Sequence, residues 1–162
     1  MYHLKIKSVQ VALGGYIMRR AILSVILVFM LGILFQPVTA KAAKEDDIVA
    51  LMNSARVKHG LSEVSIDQTL TDVAKTRAAE CSKKFSHIRP NGKAWYTVSG
   101  ATNAENLAHA VNDAQQSPEN VVLAWLLSPT HKANVMRKSC TSVGIAYHIG
   151  ANGETYIVCE FN

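Results

Sequence analysis

Cysteine is scarce in this 162-residue sequence: Cys81, Cys140 and Cys159 are all there are. That excludes a disulfide-dense scaffold, and their spacings suit no zinc-binding cluster. Internal repeats and low-complexity tracts are missing. So is an apolar run long enough to span a bilayer. The longest, Ala21 to Phe35, has 15 residues, roughly 22 Å of helix against a hydrocarbon core of roughly 30 Å. An excess of one charge is missing too, once its location is considered. The formal charge is +5, but Lys5, Lys7, Arg19, Arg20 and Lys41 all precede residue 43. The rest of the chain carries twelve basic and twelve acidic residues. The basic balance therefore gives no support for binding nucleic acid or an anionic membrane.

What the N-terminus does have is the layout of a signal peptide. Arg19-Arg20 precede the apolar run, Gln36-Pro37 break a helix, and Ala40-Lys41-Ala42 is an A-x-A site. Met18 is the better start, because it puts the arginine pair where the positive region belongs. This reading makes 1–42 a leader, 43–47 a short charged lead-in and 48–162 a single domain. It implies export, to the outside or to the cell envelope, with no stable membrane span after cleavage. A mature chain of this size can bury roughly two thirds of its unfolded surface. In an exported protein one disulfide is expected. Cys140 and Cys159 flank a predicted hairpin and are the favoured pair, leaving Cys81 as a thiol on a helix stripe. With Ala151-Asn152 as the turn, however, Cys159 would face Gly144.

Periodicity places helices first. Ile48, Leu51, Met52 and Ala55 fall at helical spacing, with Gly60 at the expected stop. Asp67 can cap a second helix whose inward stripe is Leu70, Val73, Ala74, Arg77, Ala78 and Cys81. The segment 85–100 has no period and reads as loop. Ser117-Pro118-Glu119 starts a third helix, and Ser128-Pro129 a fourth, short one, with His131 in its first turn. The segments 143–149 and 155–161 are β-prone around Gly150-Ala151-Asn152-Gly153. Helices followed by an antiparallel hairpin give the α+β class.

Five histidines follow the leader. His59 reads as a solvated helix end and His148 as exposed near the hairpin tip. His109 would lie one helical turn from Glu105. His87, in Phe85-Ser86-His87-Ile88-Arg89-Pro90-Asn91-Gly92, and His131, in Trp125-Leu126-Leu127-Ser128-Pro129-Thr130-His131-Lys132-Ala133-Asn134, stand in denser polar settings, with Glu105-Asn106 between them. Spacing alone does not bring these together.

The ordered motifs F-S-H-x-R-P-N-G, E-N-L-A and W-L-x-S-P-x-H-x-x-N resemble those of the CAP superfamily, which includes cysteine-rich secretory, antigen 5 and plant pathogenesis-related proteins. The short secreted bacterial type is the nearest resemblance, and it covers about residues 48–162. It implies an α-β-α sandwich with an antiparallel sheet between helices. It also implies that His87, Glu105 and His131 meet in one cleft. Many animal and plant members add a second glutamate near the tryptophan. Here Leu126, Leu127 and Ser128 stand there, and Glu119 is the nearby acid.

Two imidazoles, His87 and His131, suit weak, reversible binding of a divalent transition metal such as Zn2+. Glu105 would be a third ligand, an orienting neighbour or, in a hydrolase, the general base on a metal-bound water. Asn106, Ser128 and Asn134 are candidate supports. Three readings follow: a non-catalytic binding protein, a metal-dependent peptidase, or a scaffold whose cleft is structural. For the first, the resemblance implies a lipid- or sterol-like small molecule or a cell-envelope partner, with Trp95 and Tyr96 available to line the site.

Overall fold

A computed structural model describes residues 36–162, with side chains from Lys44 onward. The arginine pair and the apolar run of the leader lie outside the described residues. Among the described residues, no helix is long and apolar enough to cross a membrane. The chain divides after Ala40 into two compact units. The elements below belong to the second, apart from the first residues of one helix.

Helix α1 spans Gln36–Lys58. Pro37 lies at the start of this helix as described, where a first-turn proline forgoes no intrahelical hydrogen bond; whether the pair breaks a preceding helix lies outside the described residues. The same helix runs through the charged segment 43–47. It ends as the sequence predicts: Gly60 adopts φ +71°, and Leu61 N donates to the Arg56 carbonyl at 3.0 Å. The two-residue strand β1 is Ser65–Ile66. Helix α2, Gln68–Cys81, is capped by Asp67, whose Oδ1 accepts from Leu70 N at 2.9 Å, and its predicted inward stripe is buried in full. A 3-10 turn at Trp95–Val98 and one bridge between Ile88 and Ala94 order the segment read as loop. Strand β2 is Ala104–Ala110, α3 Pro118–Leu127, α4 Pro129–Val135, β3 Ser142–Ile149 and β4 Thr155–Phe161.

The sheet order is β1-β3-β4-β2, antiparallel except for the parallel β1-β3 pair. Its two faces carry different cores. On one face Leu107, Ala146, Tyr156 and Val158 pack against Ala74, Ala78 and Cys81 of α2. On the other, Ile145, Tyr147, Ile157 and Phe161 join Ile48 and Met52 of α1, Val122 and Trp125 of α3 and Val135 of α4. This is the α-β-α sandwich implied by the resemblance. Arg56 closes it at one end. It is 1% exposed and donates to the backbone carbonyls of Ser62, Val135, Arg137 and Cys140 at 2.7–3.1 Å.

Three expectations need correction. The hairpin closes through five residues, with Gly150 N donating to Glu154 O at 2.9 Å and Gly153 at φ +79°. Register therefore moves by one residue relative to a two-residue turn: Cys159 pairs with Ile145, and Glu160 with Gly144. A one-residue shift exchanges the faces, so Cys159 joins the α1/α3 side. The expected Cys140–Cys159 disulfide is not formed; all three cysteines are buried free thiols. Cys140 and Cys159 lie in one apolar cluster, where thiols pack as small hydrophobes. Finally, Glu105 and His109 lie on a strand, not one helical turn apart. His109 pairs with Glu154, Nε2 to Oε2 at 2.7 Å, and stacks on Tyr156 at 4.8 Å.

Candidate functional site

Strand β2 lies at the sheet edge, and its alternation sends neighbouring side chains to opposite faces. Glu105 points to the α2 side and Asn106 to the α4 side. Both are buried, at 4% and 0% exposed. Beneath Glu105 stands Arg77, itself 0% exposed. Its Nε donates to Glu105 Oε2 at 2.6 Å and its Nη2 to Oε1 at 3.2 Å. Nη1 reaches Glu80 at 2.6 Å, and Nη2 also reaches the Ser86 carbonyl at 2.8 Å. Arg89 clamps Glu80 from outside, Nη2 to Oε1 at 2.7 Å. Burial would lower the Arg77 pKa, but the bonds to Glu105 and Glu80 outweigh it and hold the guanidinium charged.

Glu160 is the second buried carboxyl, paired with Glu105 across the β2-β4 ladder and 0% exposed. One arginine cannot balance two buried carboxylates beside each other, so one of them keeps its proton. Burial, then the Glu105 charge, pushes the Glu160 pKa up to about 9. Burial would also raise Glu105, but hydrogen bonds from His87 and Arg77 hold it below the ordinary glutamate value. The hydrogen bonding agrees. Thr102 Oγ1 donates to Glu160 Oε2, while Oε1 is buried with no partner of its own. A proton on Oε1 turns that atom into a donor toward the Glu105 carboxylate.

Linkage gives this proton a sign. The folded-state pKa of Glu160 lies above its ordinary value of 4.5, so the folded protein holds more protons than the unfolded chain. Its contribution to stability is present at acid pH and is lost as pH rises toward about 9. Glu160→Gln keeps an N–H donor but removes the titration. Melting temperatures from pH 6 to 9 are expected to fall in the wild type and to be flatter in the variant. Parallel slopes in the two proteins would remove the buried proton.

His87 sits above this pair, on the loop whose Ser86 carbonyl Arg77 holds. Its Nδ1 lies 2.8 Å from Glu105 Oε1. An ionised carboxylate only accepts, so Nδ1 carries the proton and Nε2 faces away from the sheet. The His87 side chain is half exposed, whereas that of Glu105 is sealed. His131 approaches from α4. It is half-buried, and burial, then the nearness of His87, lowers its pKa. Asn106 fixes the position of α4, donating to the His131 carbonyl at 3.1 Å. Asn134 ties the same elements, donating to Asn106 Oδ1 at 2.8 Å and to the Glu105 carbonyl at 3.4 Å. His87 and Glu105 are thus in direct contact, with His131 next to them and Asn106 and Asn134 supporting. Ser128 does not join: it caps α4, and its hydroxyl meets Thr130 at 3.3 Å. Glu119 is exposed in the first turn of α3 and acts on Tyr147, away from this group.

The resulting cleft has a volume of about 410 Å³ and is lined by His87, Trp95, Asn103, Ala104, Glu105, Asn134 and Arg137. Tyr96 is exposed, and neither it nor His131 is part of that lining. Cys81 is no nucleophile: burial pushes its thiol up to about 11. The residues that sequence reasoning missed are Arg77, Glu160 and Arg137. The first two had a signal. A cation in an apolar helix stripe and an acid in the strand Thr155–Phe161 each require a partner once buried.

A model of the cysteine-rich secretory protein (CAP) family matches residues 49–161. YkwD of Bacillus subtilis (strain 168) is 32% identical over 114 residues, spanning 65% of this chain and 43% of that relative. The chain therefore covers less than half the length of the curated relative it matches. Among solved structures, an outer surface protein from Borrelia burgdorferi is 21% identical with a TM-score of 0.58, over 73% of this chain and 92% of its own. An extracellular SCP-domain protein from Bacillus anthracis str. Ames is 18% identical with a TM-score of 0.59, over 75% and 41% of the respective chains. At such identities these structures speak to the fold alone. The family model, together with that fold, shows that the chain belongs to the CAP, or cysteine-rich secretory protein, family.

Proposed function

We propose that this CAP domain is an exported, non-catalytic binding protein that takes a small amphipathic molecule, lipid- or sterol-like or from the cell envelope, in the cleft lined by His87 and Glu105, with His131 near His87. Export rests on the signal-peptide layout of residues 1–42. The observation that carries the binding reading is the state of Glu105. A general base needs a lone pair facing the substrate and a pKa near the working pH. The Glu105 side chain is sealed, both oxygens accept from Arg77, Oε1 accepts from His87, and its pKa is lowered. It orients an imidazole and does not take a proton from water, which argues against the peptidase reading.

For Zn2+, the fit is partial. Nε2 of His87 and the His131 ring are suitable donors, and Glu105 is placed to steady His87 from behind. No group of three His, Cys, Asp or Glu side chains among the described residues is arranged to hold a metal. His87 and His131 would therefore hold the ion with water completing its shell, and the ion's contribution there would be to attract an electron-rich ligand group. Weak, reversible binding follows.

The test pairs two measurements on the secreted protein. Mass spectrometry of its organic extract is expected to show a co-purifying small molecule that is reduced in His87→Ala. Incubation with a peptide library, with and without Zn2+, is expected to give no turnover. Cleavage that disappears in Glu105→Gln while the melting temperature holds would overturn the proposal in favour of a hydrolase.

A further inference from the structure

We infer that the cleft selects an organic anion, with its carboxylate on Arg137 and its carbon body on Trp95. The inference rests on the binding reading above and names the ligand's chemistry. It starts from charge. Glu105 is the carboxylate of the lining, and its charge is already met inside the fold by Arg77 at 2.6 Å. Arg137 has no such partner: among the described residues, no carboxylate lies within ion-pair reach of it. Its guanidinium is held at the rim by two neutral acceptors at the long end of the hydrogen-bond range, Asn103 O at 3.3 Å and Asn134 Oδ1 at 3.4 Å. A guanidinium has five donors in a planar fork, so most of its capacity remains for a ligand.

The backbone under Arg137 is fixed rather than free. Its carbonyl accepts from buried Arg56 Nη1 at 3.0 Å, and its own Nη2 bond to Asn134 links it to Asn106 and Glu105. The cation is therefore presented at a set place, which lowers the ordering cost of binding. Across the cleft, Nε2 of His87 carries a lone pair, since Nδ1 holds the proton toward Glu105, so it accepts from a donor on the ligand and leaves the carboxylate to Arg137. Trp95 and Ala104 give the apolar wall, and about 410 Å³ matches a small molecule. A fork-shaped cation and an indole around one cavity recognise a flat anionic head on an apolar body.

The test uses three probes on the intact exported chain, followed by the Trp95 indole resonance in NMR titrations: 3-phenylpropionate, the neutral 3-phenylpropan-1-ol, and inorganic phosphate. The acid is expected to bind about tenfold more tightly than the alcohol at low salt, and raising the salt is expected to weaken the acid alone. Arg137→Gln is expected to remove the difference, with a melting temperature close to that of the wild type. Should that variant fail to fold, the acid-to-alcohol ratio and its salt dependence in the wild type still decide the matter. Competition by phosphate would assign the preference to anions in general, and its absence to carboxylates; both support the inference. Equal affinity for acid and alcohol overturns it while leaving the binding cleft intact. If neither organic probe shifts Trp95, the inference and the cleft reading fall together.

Discussion

Gly144→Ala is expected to lose about 4 kcal/mol or more of stability, among the largest effects of a single methyl group. A Cβ built at Gly144 would lie 2.0 Å from the Leu70 carbonyl carbon, 2.1 Å from Thr71 N and 2.4 Å from Leu70 O. These are backbone atoms, so no side-chain rotation relieves the clash. Nor is the start of α2 free to lift. Asp67 N donates to the Val143 carbonyl, and Thr71 N to the Asp67 carbonyl, each at 2.9 Å. Strand β3 thus grips the helix cap beside the very residue that would push it away. Against a total stability of about 5–15 kcal/mol, the variant is expected to melt more than about 10 °C lower. Gly100→Ala is the control, since a Cβ there meets nothing within 4 Å and no positive φ is required. Thermal unfolding followed by circular dichroism checks both. A Gly144→Ala melting point within two or three degrees of wild type would mean that α2 does not lie this close to the sheet.

Gly144 also shows where the sequence was legible and where it was not. The helices carry their own punctuation: Asp67, Ser117-Pro118 and Ser128-Pro129 at their starts and Gly60 at a stop, and each appears where expected. The hairpin carries less. Its connecting residues fit either a two- or a five-residue turn, and choosing between them moves Glu160 from one face to the other. In the true register Gly144, Glu160 and Glu105 form one row across the sheet. That row runs beneath α2, only its Glu105 end lines the cleft, and it was invisible while Cys159 stood opposite Gly144. Strand β2 was hidden for another reason. As an edge strand covered on both sides it buries Glu105 and Asn106 alike, so its sequence lacks the polar-apolar alternation that betrays a half-exposed strand. His87, Glu105 and His131 were found through family resemblance, because nothing in their local spacing tells that a loop, an edge strand and a helix meet.

Arg77→Met tests the Glu105 end of that row, and about 3–5 kcal/mol of destabilisation is expected at neutral pH. The substitution keeps much of the side-chain volume, so packing changes little. What changes is charge. Glu105 loses its cation in a sealed place, Glu80 keeps Arg89 alone, and the Ser86 carbonyl loses its donor. Glu105 then meets the same pressure that keeps Glu160 protonated, and its pKa must rise. Hence the deficit relative to wild type is expected to shrink as pH falls, because a protonated Glu105 no longer needs the guanidinium. Adding Glu105→Gln removes the orphaned charge and is expected to recover about 1–3 kcal/mol, as coupled neighbours do in a double-mutant cycle. The consequence reaches the surface through two bonds. Once Glu105 is neutral it no longer demands the proton of His87 Nδ1, and the loop that carries the ring has lost its anchor at Ser86. The His87 Nδ1 proton signal seen by NMR in wild type is therefore expected to shift or broaden in Arg77→Met while Trp125, on the other face, stays put. A destabilised variant with an unchanged His87 signal would show that Arg77 supports the core but does not set the chemistry of the cleft.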